Sequence, residues 1–371
     1  MKVITVLGTR PEIIRLSLII PKLDRLCDHV LVHTGQNSDP GLSDIFFEQL
    51  GLRQPDLYLG VQGKSPADQI AQILTGCERA FLEHRPDRLL ILGDTNSALS
   101  AMVAKRMGIA VFHMEAGNRC FDSRVPEEVN RRIVDHSSDV LLPYTEHSRA
   151  YLLREGIQQN RIFVTGNPIC EVLEHWRPRF EQAEALGQLG LERGRYMLAT
   201  MHRAENVDRE ERLGILMNAL AALRERHGMP IVVSTHPRTR ARMTAFGLKE
   251  EDSGVRYLPP FNFVDFLALQ KNARCVISDS GTVQEECAIL GTPNVTLRDT
   301  TERPETLDCG SNMISGLTRD GILQAVDVVL ALAPAWEVPE PYRRRNVSDA
   351  VARILLSHHD FPPQSGVVAR G

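Results

Sequence analysis

Short apolar runs alternate along this chain with longer stretches whose apolar positions recur every three to four residues. Residues 3–7 are followed by 11–26, 29–33 by 42–50, 89–92 by 98–107, and 110–114 by 127–136. Brief apolar runs bounded by Gly, Pro or Asp read as buried strands, and the longer periodic stretches read as amphipathic helices. Residues 140–143, a helix over 145–155, a strand over 162–165 and a helix reaching about Phe180 continue the series. A Gly-, Gln- and Glu-rich stretch at 181–195 then interrupts it, and the rhythm restarts with 196–200 and 210–226, 231–234 and 239–246, 255–258 and 264–270, and 275–277 and 283–290. This alternation predicts an α/β protein with two doubly wound parallel sheets. The first domain is expected over 1–180, joined by a terminal helical stretch in 346–371, and the second over 181–345. In such sheets ligands collect at the carboxyl ends of the strands, so the loops that follow them are the places to look for chemistry.

Composition narrows the partners. A net charge of -4 and a pI near 6.3 give no electrostatic footprint for nucleic acid, so an anionic ligand must be held by local clusters. No run of apolar residues is long enough for a membrane span, and the sequence opens directly on a strand, so a cytoplasmic protein without a signal peptide or membrane contact is expected. The seven cysteines are scattered and contain no Cys-x-x-Cys pair, which fits reduced thiols. The twelve histidines show no metal-ligand spacing, so no metal is expected.

The stretch Ser278-Asp-Ser-Gly-Thr-Val-Gln-Glu-Glu286 joins an apolar strand to a helix, with Ser280 and Gly281 at the turn. Free N–H groups and the positive helix end make that turn a seat for a phosphate. Glu285 or Glu286 is placed to accept from two vicinal hydroxyls, as on a ribose. Arg298 and Arg303 follow within reach of a diphosphate. In Gly8-Thr-Arg-Pro-Glu, Thr9 and Glu12 have capping-box spacing and Pro11 suits a first helical turn. Arg10 is unexplained by that reading, since a cation opposes the dipole at a helix start, and it points to an anion. Asp94, Glu115 and Glu127 belong to segments converging on one sheet edge, where gathered carboxylates suit acid–base work. Each also has an ordinary reading: Asp94 as a helix cap, Glu115 as a buried acid in need of a partner, and Glu127 as an ion pair with Arg131 four residues on. His202 beside Arg203 and His236 beside Arg238 occupy loops expected to face Ser280.

Gly8-Thr-Arg-Pro-Glu, Gly93-Asp-Thr, Glu115-Ala-Gly, Pro126-Glu-Glu-x-Asn-Arg, His202-Arg, Ser278-Asp-Ser-Gly and Thr300-Thr-Glu-Arg-Pro-Glu, in this order over most of the chain, resemble the UDP-N-acetylglucosamine 2-epimerase family. The branch forming UDP-N-acetyl-L-fucosamine is more similar still, through Ile13-Ile-Arg-Leu-Ser, His33-Thr-Gly-Gln-Asn and His113-Met-Glu-Ala-Gly-Asn-Arg-Cys-Phe-Asp. The resemblance implies two Rossmann-like domains facing a cleft, as in the type-B glycosyltransferase (GT-B) fold, a homodimer, and a UDP-N-acetylhexosamine as substrate. By motif position it implies catalytic roles for Asp94, Glu115, Glu127 and His202. It implies ligand-binding roles for Arg10, Arg131, His236, Ser280, Gly281, Glu286 and Arg303. Arg15 stands where the family usually has lysine, and Gln36-Asn-Ser-Asp-Pro stands where many members carry an allosteric substrate site, so activation by substrate is not expected.

Inverting C2 of such a sugar means removing a proton with no carbonyl beside it. The accessible route expels UDP as the proton leaves and re-adds it after reprotonation on the other face, which requires no redox cofactor. Rival readings are a hydrolysing epimerase, a GT-B glycosyltransferase and a catalytically silent UDP-sugar sensor.

Overall fold

The computed structural model describes residues 1–36, 46–249 and 254–359, which form two compact units: Met1–Val172 with the chain from Pro341 onward, and Leu173–Glu340. In the first unit, strands β1 (Lys2–Leu7), β2 (Asp28–His33), β3 (Leu57–Tyr58), β4 (Arg88–Leu92), β5 (Ala110–Met114) and β6 (Val140–Leu142) form one parallel sheet in the order β3-β2-β1-β4-β5-β6. Val3, Ile4, Val6 and Leu7 are all buried although they alternate in direction, as helices on both faces require. One core layer joins Ile4, Val6, Leu89, Ile91 and Val111 to Ile73, Phe81, Leu99 and Ala101 of the covering helices.

The second unit repeats the plan. Strands β7 (Met197–Thr200), β8 (Ile231–Ser234), β9 (Val255–Leu258), β10 (Cys275–Ser278), β11 (Asn294–Thr296) and β12 (Asn312–Ile314) are parallel in the order β12-β11-β10-β7-β8-β9. In each sheet the order reverses beside the first strand, between β1 and β4 and between β7 and β10. This is the doubly wound Rossmann order, and it opens a ligand crevice at each reversal.

Several elements differ from the sequence reading. The helix expected over 11–26 is two, Arg10–Leu16 and Ile20–Leu26, because Pro21 cannot donate into a continuous ladder. The strand expected over 162–165 is a single bridge from Leu141 to Ile162. Phe163 and Thr165 do donate to the carbonyls of Leu141 and Pro143, but Pro143 has no N–H for the return rung. The pattern passed over β3, β11, β12 and the helices Pro66–His84 and Arg319–Ala331. Of the helix expected over 42–50, residues 46–49 are helical, while 37–45 and the tail from 360 lie outside the described residues.

The units divide between Val172 and Leu173, inside the helix Ile169–Glu181, rather than after residue 180. Glu171, at its start, accepts from the N–H and hydroxyl of Ser348, whereas Trp176 packs on Phe263 and Glu181 pairs with Lys271. The helix thus changes partners along its length. The helix Val347–Leu356 belongs to the first unit, where Lys22 reaches Ser348 and Arg88 donates to the Leu355 carbonyl. Among the described residues no helix is long and apolar enough to cross a membrane.

Candidate active site

Asp94 leaves β4 at the reversal point of the first sheet. It caps nothing: Thr95 holds the N-cap position of the short helical turn Asn96–Leu99. Arg131, 2% exposed, donates from Nε and Nη2 to Asp94 Oδ2 at 3.0 and 2.8 Å and from Nη1 to Glu128 Oε2 at 2.8 Å. One carboxylate oxygen of Asp94 is thereby fixed. The other, Oδ1, makes no hydrogen bond among the described residues and is left to act.

Glu115 follows β5 with φ +65°, a left-handed conformation that costs a non-glycine residue free energy and persists only where its surroundings impose it. Those surroundings are a buried ion pair with Arg15, the Asn118 amide at 3.2 Å and the Tyr144 hydroxyl at 3.4 Å. The Arg15 guanidinium lies 5.8 Å from the Tyr144 ring centre, so ring and carboxylate together accommodate its charge. Glu127 sits half-buried on the first turn of the helix Pro126–Ser137, one turn before Arg131. On that same turn Glu128 accepts from the N–H groups of Cys120 and Phe121. Burial works against its ionisation, but those bonds and Arg131 outweigh it and hold its pKa below the usual range.

Arg10 opens the helix after β1, with its guanidinium carbon 5.0 Å from the Phe46 ring centre, and burial pushes its pKa down. Glu12 plays a part that capping-box spacing did not reveal. Its carboxylate accepts from the Gly8 N–H at 3.0 Å and from the hydroxyls of Thr9 at 2.8 Å and Thr95 at 3.0 Å, tying the β1 loop to the β4 loop beside Asp94. Thr9 donates to the acid instead of capping the helix. Burial pushes the Glu12 pKa up to about 7.

In the second unit the loops after β7 and β10 meet at the other reversal point. Asp279 is fully buried and accepts from the N–H groups of His202 at 3.1 Å and Arg203 at 3.0 Å and from the Asn206 amide at 3.1 Å. It fixes the His202 loop next to Ser280. The ring centres of His202 and His236 are 5.6 Å apart. His236 caps the helix Pro237–Ala245 by accepting the Arg238 N–H at Nδ1, a bond that assigns its proton to Nε2. Ser280 is the N-cap and Gly281 the first residue of the helix Gly281–Leu290. Its own hydroxyl does not cap the helix, so the first-turn N–H groups keep their anion-binding character.

Glu286 is 5% exposed on that helix. Arg298 and Arg303 are buried, and both pair within the unit: Arg298 with Glu302 at 2.7 Å and Arg303 with Glu285. The sequence reading, which placed both arginines toward a diphosphate, did not foresee these internal carboxylates. Asp279 and Glu302 lay inside the motifs but had been given no role. None of the cysteines forms a disulfide, and no group of His, Cys, Asp and Glu among the described residues is placed to hold a metal ion.

A family model described as UDP-N-acetylglucosamine 2-epimerase matches residues 22–356. The UDP-N-acetylglucosamine 2-epimerase of Methanocaldococcus jannaschii is 38% identical over 363 residues, covering 96% of this chain and 99% of its own. Its crystal structure in complex with UDP-GlcNAc and UDP superposes with a TM-score of 0.90. The UDP-2,3-diacetamido-2,3-dideoxy-D-glucuronate 2-epimerase of Pseudomonas aeruginosa is 35% identical over 88% of this chain and 91% of its own. A glycosyltransferase involved in lipopolysaccharide biosynthesis, 14% identical with a TM-score of 0.60 over 96% of this chain and all of its own, shares the fold alone, the GT-B architecture.

Proposed function

The chain belongs to the UDP-N-acetylglucosamine 2-epimerase family and is an isomerase, and from that premise we propose that it inverts C2 of a UDP-linked 2-acetamido sugar by eliminating and re-adding UDP. The observation that carries this reading is the tethering of Asp94. Arg131 anchors one oxygen of a carboxylate whose other oxygen is uncommitted, at the strand ends where the sheet order reverses.

In the forward half-reaction a carboxylate takes the C2 proton while the C1–O bond breaks and its electron pair leaves with UDP, giving a 2-acetamidoglycal. In the return half a UDP oxygen bonds to C1 and an acid delivers a proton to the opposite face of C2. Asp94, Glu115 and Glu127 serve these transfers. The Gly281 helix start, His202, Arg10 and Arg303 stabilise the departing diphosphate, each well-placed donor contributing roughly 10²–10³-fold. His236 and Glu286 hold the nucleotide, Glu286 through the ribose hydroxyls. The working form in this reading is a cytoplasmic homodimer supplying precursors of surface polysaccharide, and light scattering tests the stoichiometry.

Incubation with UDP-GlcNAc, and with UDP-2-acetamido-6-deoxy-L-sugars, in deuterated water is expected to place deuterium at C2 of both epimers, with UDP and an equal amount of the 2-acetamidoglycal as the only other species. Asp94→Asn should lower kcat by about 10²–10⁴-fold and leave UDP affinity within about twofold. Release of free N-acetylmannosamine would identify a hydrolysing enzyme. Binding of UDP without any exchange would identify a sensor and overturn the proposal, and exchange that requires a sugar acceptor would identify a transferase.

A further inference from the structure

Beneath the candidate carboxylates of the first unit lies a set of ionised side chains that the reaction itself does not use. His113, the penultimate residue of β5, is 1% exposed, and Asp135, on the helix Pro126–Ser137, is fully buried. His113 Nδ1 is 2.9 Å from Asp135 Oδ1 and its Nε2 is 2.9 Å from the Gly93 carbonyl. Asp135 Oδ2 also accepts from the Gly117 N–H at 3.1 Å and from Arg119 at 2.8 Å. Burial opposes ionisation of Asp135, but the bonds and charges of His113 and Arg119 outweigh it and hold its pKa below the usual carboxylate range.

Both acceptors of the imidazole are groups without a proton to give: a main-chain carbonyl and a carboxylate that also accepts from the Gly117 N–H and from Arg119. A neutral ring carries one N–H and would leave one of these short contacts as acceptor against acceptor. The ring therefore donates from both nitrogens and is an imidazolium. In a site this dry an imidazolium and a carboxylate are each costly alone and are stable together.

Its attachments lead directly to the reacting groups. Gly93 precedes Asp94 in the chain. Gly117 closes the left-handed turn that presents Glu115, with φ +78° and no room for a side chain, since a Cβ there would lie 2.4 Å from the Ser148 carbonyl oxygen. Asp135 is one turn beyond Arg131, which holds Asp94, on the helix that also carries Glu127. We propose that His113 and Asp135 are positioning residues of the reaction, a buried imidazolium–carboxylate pair that locks the Asp94 loop, the Glu115 turn and the Glu127 helix into one register.

This rests on the reading of those three acids as proton-transfer groups. Misplacing such groups by about 1 Å costs on the order of 10²-fold in rate. Asp135→Asn and His113→Gln are therefore each expected to lower kcat for C2 exchange by about 10²-fold, with KM and the calorimetric UDP affinity within about twofold, because no ligand contact is removed. In ¹⁵N-histidine spectra of the wild-type enzyme near pH 7.5, both His113 nitrogens should be of the protonated type.

A folded variant that keeps kcat within about threefold overturns the proposal, as does one that loses UDP affinity in step with kcat, or a His113 with one bare nitrogen. Should neither variant fold, the proton count on His113 in the wild type decides alone. The wild-type deuterium assay is separate: its failure would remove the acid–base reading and leave the His113 proton count as measured.

Discussion

Glu12 is a carboxyl group whose donors, peptide N–H and threonine hydroxyl, are all neutral, so burial raises its pKa from 4.5 to about 7. An acid raised in the native state adds stability that is fully present below its unfolded value and is lost as pH climbs through its folded one. The wild type should therefore lose about 3 kcal/mol of stability between about pH 4.5 and 7 from this group. Glu12→Gln should flatten that part of the profile, as thermal melts over pH 5 to 8 would show, and an unchanged slope would remove Glu12 as the cause. Asp94 and Glu115 were legible as candidates because charged residues at the ends of apolar strands demand an explanation within the local sequence. Glu12 was not, because its second attachment, Thr95, is 83 residues away. Asp279 was opaque for the same reason, since its partners arrive on the His202 loop, whereas Glu302 pairs with Arg298 only four residues away, a local spacing that could have shown it.

Among the elements, the Gly281–Leu290 helix start depends on the absence of a side chain. A Cβ on Gly281 would lie 2.6 Å from Glu302 Oε1, and that carboxylate is fastened by Arg298 and Arg203. Gly281→Ala should push it across the first-turn N–H groups and weaken UDP binding by roughly tenfold, about 1.4 kcal/mol. Titration calorimetry reads this directly, and wild-type affinity in the variant would mean that UDP is seated elsewhere. The strand–helix rhythm carried most elements correctly because long apolar strands and periodic helices write themselves into the sequence. The helix Pro66–His84 carries the same signal, with Ile70, Ile73, Leu74, Cys77 and Phe81 at helical spacing on its packed face, and was passed over although its pattern was legible. β11 and β12 are three residues each and include buried asparagines, so their composition resembles a loop. The 162–165 segment shows the converse: its own residues suit a strand, and Pro143 on the neighbouring chain segment forbids it.

At the level of the whole molecule, the first unit is built from two separated pieces of chain. Deleting residues from 346 onward would take the Leu355 carbonyl from Arg88, which is 8% exposed, and strip the buried Val347, Val351 and Leu355 from the first unit. Breaking one buried charged contact and a packed helix together costs several kcal/mol, so the truncated chain should lose the unfolding transition of the first unit in scanning calorimetry and keep that of the second. Retention of both transitions would show that the terminal helix is dispensable. The same arrangement sets a timetable for synthesis. Everything the second unit needs has left the ribosome once Glu340 has emerged, whereas the sheet bearing Asp94 and Glu115, translated earlier, must wait for the helix Val347–Leu356 before its unit is complete. The unit begun first is thus completed after the other, and a nascent chain stalled before Val347 would expose the first unit to chaperones while the second is already folded.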